Sequence, residues 1–105
     1  MRKNIEEVME RLRRIAALKE DYEARFGSVF YAGNTPLLKP AGCIGLAWIL
    51  VRVYDGEMTV PGMDEETFVE FASSLDNTCT AEDVKRMINE IVGAEVFKVE
   101  AEVKR

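Results

Sequence analysis

Residues 41–54, AGCIGLAWILVRVY, decide how the chain is read. They form its densest apolar run and hold the one tryptophan, Trp48, and one of the two cysteines, Cys43. An Asp55-Gly56 pair closes the run. Two conformations compete for it. As a strand, Ile44, Leu46, Trp48 and Leu50 face one side and Ala47, Ile49, Val51 and Val53 the other. Both faces are apolar until Arg52, as in an interior strand. As a helix, Pro40 takes the first helical position and residues 41–49 wind behind it. Gly42 and Gly45 weigh against the helix, and the Cβ-branched Ile49, Val51 and Val53 favour a strand from Trp48 onward. The strand is therefore the preferred reading. Tyr54-Asp55-Gly56-Glu57 then serves as a two-residue hairpin turn, and residues 57–60 return as a partner strand ended by Pro61-Gly62.

Upstream, residues 4–26 read as one long helix. Asn4 can cap it, with Glu7 in the reciprocal position, and Gly27 is a stop signal. Ile5, Val8, Leu12, Ile15, Tyr22 and Phe26 recur at spacings near three and four, interrupted at Lys19, which approaches a 3.5-residue seam. Such a helix is roughly 35 Å long at 1.5 Å per residue. A domain of this size has a radius of gyration of roughly 13 Å. The helix can therefore overhang its own domain and offer Ile5, Val8, Leu12, Ile15 and Tyr22 to a second copy. Residues 28–32 read as a short strand, followed by the Gly33-Asn34-Thr35-Pro36 turn.

Downstream, Asp64 can cap a helix that runs through Leu75, with Phe68, Phe71, Ala72 and Leu75 on one face. Asp76-Asn77 ends it. Thr80 and Asp83 make a second capping pair. The helix they open turns Val84, Met87, Ile88 and Ile91 inward and stops at Gly93. Residues 94–103 alternate apolar and charged, as in a half-exposed edge strand. The fold class expected is α+β. A mainly antiparallel sheet of about four strands would be covered by the long N-terminal helix and two C-terminal helices, in the order α-β-β-β-α-α-β, as one domain over residues 1–105.

Composition narrows the chemistry. The 105 residues are 48% hydrophobic and 31% charged, ordinary for a globular protein. No apolar run reaches the roughly 18 residues of a membrane span, and the N-terminus lacks the apolar core of a signal peptide. With no address visible, the cytoplasm is the default. The absence of His removes most zinc sites, Ser-His and Cys-His catalysis and the usual pH switch. The net charge of −5 disfavours attraction to nucleic acid or anionic lipid. The charge is uneven: residues 2–26 carry seven Lys/Arg against six Asp/Glu, and the remainder seven against thirteen.

Few residues stand out as chemical candidates. Cys43 and Cys79 are 36 positions apart, in no metal-binding spacing. They read first as small core thiols. A disulfide between them, or a reactive redox pair with Cys79 beside a helix start, are the other readings. Asp64, Glu65, Glu66 and Glu70 suit the first turns of a helix by its dipole. Arg11, Arg13 and Arg14, with Arg2 and Lys3, form a basic patch diluted by neighbouring Glu. Tyr31 and Tyr54 are the candidate stacking aromatics. No catalytic set converges and no cofactor is implied. The function expected is that of a small non-enzymatic binding protein acting as a homodimer or higher homo-oligomer, or bound to a protein partner. Two-cysteine redox chemistry and nucleic-acid association through Arg11, Arg13 and Arg14 are the alternatives.

Overall fold

The computed structural model describes residues 4–99. Five α-helices follow in order: α1 (Ile5–Ala16), α2 (Leu18–Phe26), α3 (Leu38–Tyr54), α4 (Glu65–Thr78) and α5 (Ala81–Val92). A 3-10 segment, Val29–Asn34, joins α2 to α3. No strand occurs among the described residues, which overturns the expected α+β fold and its four-stranded sheet.

The correction begins at the apolar run. It is the greater part of α3, a helix of 17 residues buried along Pro40, Ala41, Cys43, Ile44, Gly45, Ala47 and Leu50. A helix enclosed on most sides and a strand enclosed on both faces leave the same unbroken apolar signature, so periodicity cannot separate them. Length does, because strands seldom exceed about 10 residues. Pro40 is the third residue of α3, within the first turn, where its missing N–H costs nothing. The Cβ-branched residues are carried by packing, which overrides modest intrinsic preferences. Gly45 has a packing role: a Cβ there would meet Phe30 at 3.3 Å and Val29 at 3.5 Å.

Asp55-Gly56 is a helix stop rather than a hairpin. Gly56 has φ +78°. Its N–H donates to the Val53 carbonyl at 3.1 Å, and the Glu57 N–H to the Arg52 carbonyl at 2.8 Å. These are the two hydrogen bonds of a Schellman C-cap, so a left-handed glycine serves a helix end as well as it serves a turn. Residues 57–60 accordingly form no return strand, and residues 28–32, also expected as a strand, lie in and beside the 3-10 segment.

The expected strand over residues 94–103 is corrected over its described part. Residues 94–99 are irregular, and the Asn89 side chain supplies what a neighbouring strand would have. Its Oδ1 accepts the Val96 N–H at 2.8 Å and the Phe97 N–H at 3.0 Å, and its Nδ2 donates to the Phe97 carbonyl at 2.8 Å. Residues 100–103 lie outside the described residues.

The three expected N-caps are present. Asn4 Oδ1 accepts the Glu6 and Glu7 N–H groups, Asp64 that of Thr67, and the Thr80 hydroxyl oxygen that of Asp83. Gly27 and Gly93 follow α2 and α5 with positive φ. Two extents differ. The helix expected over residues 4–26 breaks at Ala17 into α1 and α2, and α4 continues past Asp76-Asn77 to Thr78. α1 packs against α3, α4 and α5, and α2 against α3 and the 3-10 segment. Val8, Met9, Leu12, Ile15 and Tyr22 from α1 and α2 meet Ile44, Ala47, Ala72, Val84 and Ile88 in one core. None of the described helices is long and apolar enough to cross a membrane.

Candidate functional site

α3 and α4 form an antiparallel hairpin around residues 55–64. The Schellman turn ends α3. Val60-Pro61-Gly62-Met63 then reverses the chain, with the Met63 N–H donating to the Val60 carbonyl at 3.2 Å and Gly62 at φ +83°. Proline second and a positive-φ glycine third are the requirements of a type II turn. This turn sets Val60 and Met63 at the mouth of an open trough of about 310 Å3. Leu46, Ile49 and Leu50 of α3 line one wall, and Phe71 and Leu75 of α4 the other. Every lining side chain is apolar. Leu46 and Phe71 are each 54% exposed. Large apolar side chains left this open and side by side, rather than scattered singly, mark a surface that works by being covered. Of the four residues expected on one face of α4, Phe68, Ala72 and Leu75 are buried and Phe71 is open to solvent. Ile91, expected inside, is 41% exposed on α5.

The trough is pinned at both ends. At one end Cys43 of α3 and Cys79, just after α4, are joined by a disulfide with Cα atoms 6.3 Å apart. At the other, Tyr54 stacks on Phe68 with ring centroids 6.0 Å apart and planes 10° from parallel. The disulfide was one of three readings of the cysteines and is the one realised. Both residues are buried. Cys79 follows α4 and precedes Thr80, the cap of α5.

Arginines from α1 hold the same hairpin from outside. Arg11 donates from Nε and Nη2 to the two oxygens of Asp76, at 2.9 and 2.8 Å. Arg13 grips Asp55 in the same two-pronged way, at 2.9 and 2.6 Å. Paired N–H donors fit a carboxylate with fixed orientation. These hydrogen bonds push the Asp55 carboxyl below its ordinary range and raise both guanidinium groups. Asp64 is also lowered, chiefly by the Thr67 backbone N–H it accepts in capping α4. Arg11 and Arg13 of the basic patch are thus engaged in structure. Arg14 lines one surface depression with Arg11 and Asp76 and another with Glu82 and Lys85. Arg2 and Lys3 lie outside the described residues.

The seam proposed for a second copy is placed in the chain's own interior. Val8, Leu12, Ile15 and Tyr22 are all within 1% of full burial, and Ile5 is half-buried against the same core. Tyr31 is 85% exposed, whereas Tyr54 is held in its stack. Lys19 lies 4.6 Å from the Trp48 ring centre and the Arg52 guanidinium 4.9 Å. These cation–π contacts, with the Phe30 ring edge-on at 6.0 Å, cover part of the Trp48 ring. Sequence reasoning missed the trough because two of its walls were assigned to a strand and to a core-facing helix. The available signal was Phe71, beside Glu70 on the rim of an otherwise polar outer face. Among known proteins, the chain matches no family model, no curated protein and no solved structure.

Proposed function

We propose that this chain is a non-enzymatic binding protein whose partner docks in the trough between α3 and α4. One observation carries the reading: an apolar trough walled by half-exposed Leu46 and Phe71, on a helical hairpin braced at both ends. Bracing lowers the ordering cost of binding. An oligomer formed through the α1 seam would need a different face, since those side chains already fill the core. The trough is such a face.

Thiol redox chemistry is the second reading, supported by the Cys43–Cys79 bond. Burial of both residues counts against it, because exchange needs access for an attacking thiolate. The bond also bears on location. Disulfides persist in oxidising compartments, and in the cytosol chiefly of hyperthermophiles. The cytoplasmic default therefore fits best with a heat-adapted host.

The test uses Nile red, a neutral probe of apolar surface. Saturable fluorescence enhancement is expected with the wild type, and its loss in Leu46→Glu, Phe71→Glu protein of unchanged circular dichroism. Equal enhancement in the two proteins would end the proposal.

A further inference from the structure

We infer that the trough takes a basic amphipathic helix from another protein. This rests on the binding role proposed above and adds the chemistry of the partner. The conformation follows from the walls. Both are α-helices whose backbone groups are already satisfied, and no strand edge is offered among the described residues, so an extended peptide has no ladder to join. Side-chain anchors must do the binding, as when an amphipathic helix lays residues i, i+3 or i+4 and i+7 into an apolar groove. Those anchors span roughly 10 Å at 1.5 Å per residue. Leu46–Leu50 on α3 and Phe71–Leu75 on α4 each cover about 6 Å on the same measure, and Val60 and Met63 extend the trough beyond them.

The charge follows from the hairpin. Residues 38–78 carry seven Asp/Glu against two Lys/Arg, a net of −5, which equals the whole chain's net of −5. The rest of the chain is therefore balanced. Some of this charge is compensated in place: Arg13 pairs with Asp55, Arg11 with Asp76 and Arg52 with Glu57. Asp64, which caps α4, and Glu65, Glu66 and Glu70 in its first turns remain, while Lys39 lies at the other end of the hairpin. Helical spacing places Glu70 about 100° round α4 from Phe71 and Glu66 one turn before Glu70, both on the solvent side of the helix. A partner helix over Phe71 comes within a Debye length of these groups, about 8 Å at physiological salt. Lys and Arg flanking its apolar stripe complement them.

A second copy is the poorer occupant. A two-fold contact sets the same patch against itself, which would oppose one α4 carboxylate set to another. Anionic lipid and nucleic acid meet the same repulsion.

The test is selection of displayed random peptides of about 15 residues on the oxidised full-length protein. Counter-selection uses Leu46→Glu, Phe71→Glu protein, with Leu46→Ser, Phe71→Ser as the second variant should the first lose its helical spectrum. The expected winners combine apolar residues at i, i+3 or i+4 and i+7 with a clear excess of Lys and Arg. Their affinity should fall about tenfold between about 50 and 500 mM NaCl, and about threefold in Glu66→Gln, Glu70→Gln protein. Winners that need Leu46 and Phe71 but are neutral or acidic would overturn the basic partner and leave the binding role standing. No winner dependent on Leu46 and Phe71 would overturn both. Sedimentation showing a dimer that Leu46→Glu, Phe71→Glu dissolves would make a second copy the occupant and overturn the inference.

Discussion

Two glycines on the same helix and its cap answer to opposite physics. Gly42 sits inside α3 with an ordinary helical backbone, exposed, and nothing lies within 4 Å of where its Cβ would be. Gly56 has equal space but a φ of +78°. Gly42→Ala should raise stability by about 0.5–1 kcal/mol, since alanine removes unfolded-state freedom at no steric cost. Gly56→Ala should lower stability by about 1 kcal/mol, the cost of a left-handed L-residue. Urea unfolding of the two variants checks both, and equal signs would contradict the helical assignment of residues 38–54. The same residues show what was legible in the chain. Glycine and the capping side chains Asn4, Asp64 and Thr80 act through local geometry, so their roles could be read directly. Asp55-Gly56 was recognised as a chain reversal but given the wrong kind. A positive-φ glycine is required by a hairpin and a helix cap alike, and only the carbonyls five and three residues back distinguish them.

At the scale of elements, the apolar run was the decisive ambiguity. α1, α4 and α5 each have a polar flank, and their period could be counted. α3 lacks one, because α1, α2, α4, α5 and the 3-10 segment all lean on it. Its burial erased the pattern that would have identified it. The misassignment then spread, since a central strand demands neighbours, and residues 28–32, 57–60 and 94–103 were recruited to supply them. The trough was lost by the same route. Its existence depends on α3 and α4 lying antiparallel, which no local signal specifies. The Cys43–Cys79 bond across that hairpin joins residues 36 apart. Closing a loop of this size should stabilise the fold by about 2–4 kcal/mol. Reduction, or the Cys43→Ser, Cys79→Ser variant, should lower the unfolding free energy by that amount and so shift the denaturant midpoint downward, while retaining the helical spectrum. An unshifted midpoint would mean the bond does not form in the folded protein.

For the molecule as a whole, acid is the condition to which stability should respond. Asp55, Asp64 and Glu23 all have carboxyl pKa values below their ordinary 3.8 or 4.5. The largest causes are the Arg13 hydrogen bond, the Thr67 N–H and the Val29 N–H respectively. A lowered folded-state value means the unfolded chain binds protons first. The stabilisation is therefore complete above the ordinary values and is lost as pH falls through the lowered ones. Thermal unfolding midpoints should be level near neutrality and decline below about pH 4. With no histidine in the chain, no step is expected between about pH 5 and 8. A midpoint rising on acidification would contradict these contacts.

The segregation of charge onto one hairpin has an effect that precedes any contact. A body negative at one side and balanced elsewhere has a permanent dipole moment, and a cationic helix approaching through water exerts a torque on it. The encounter is thereby pre-aimed: the protein turns its greasy slot toward the visitor before the two surfaces touch, and dissolved salt blunts that aim first.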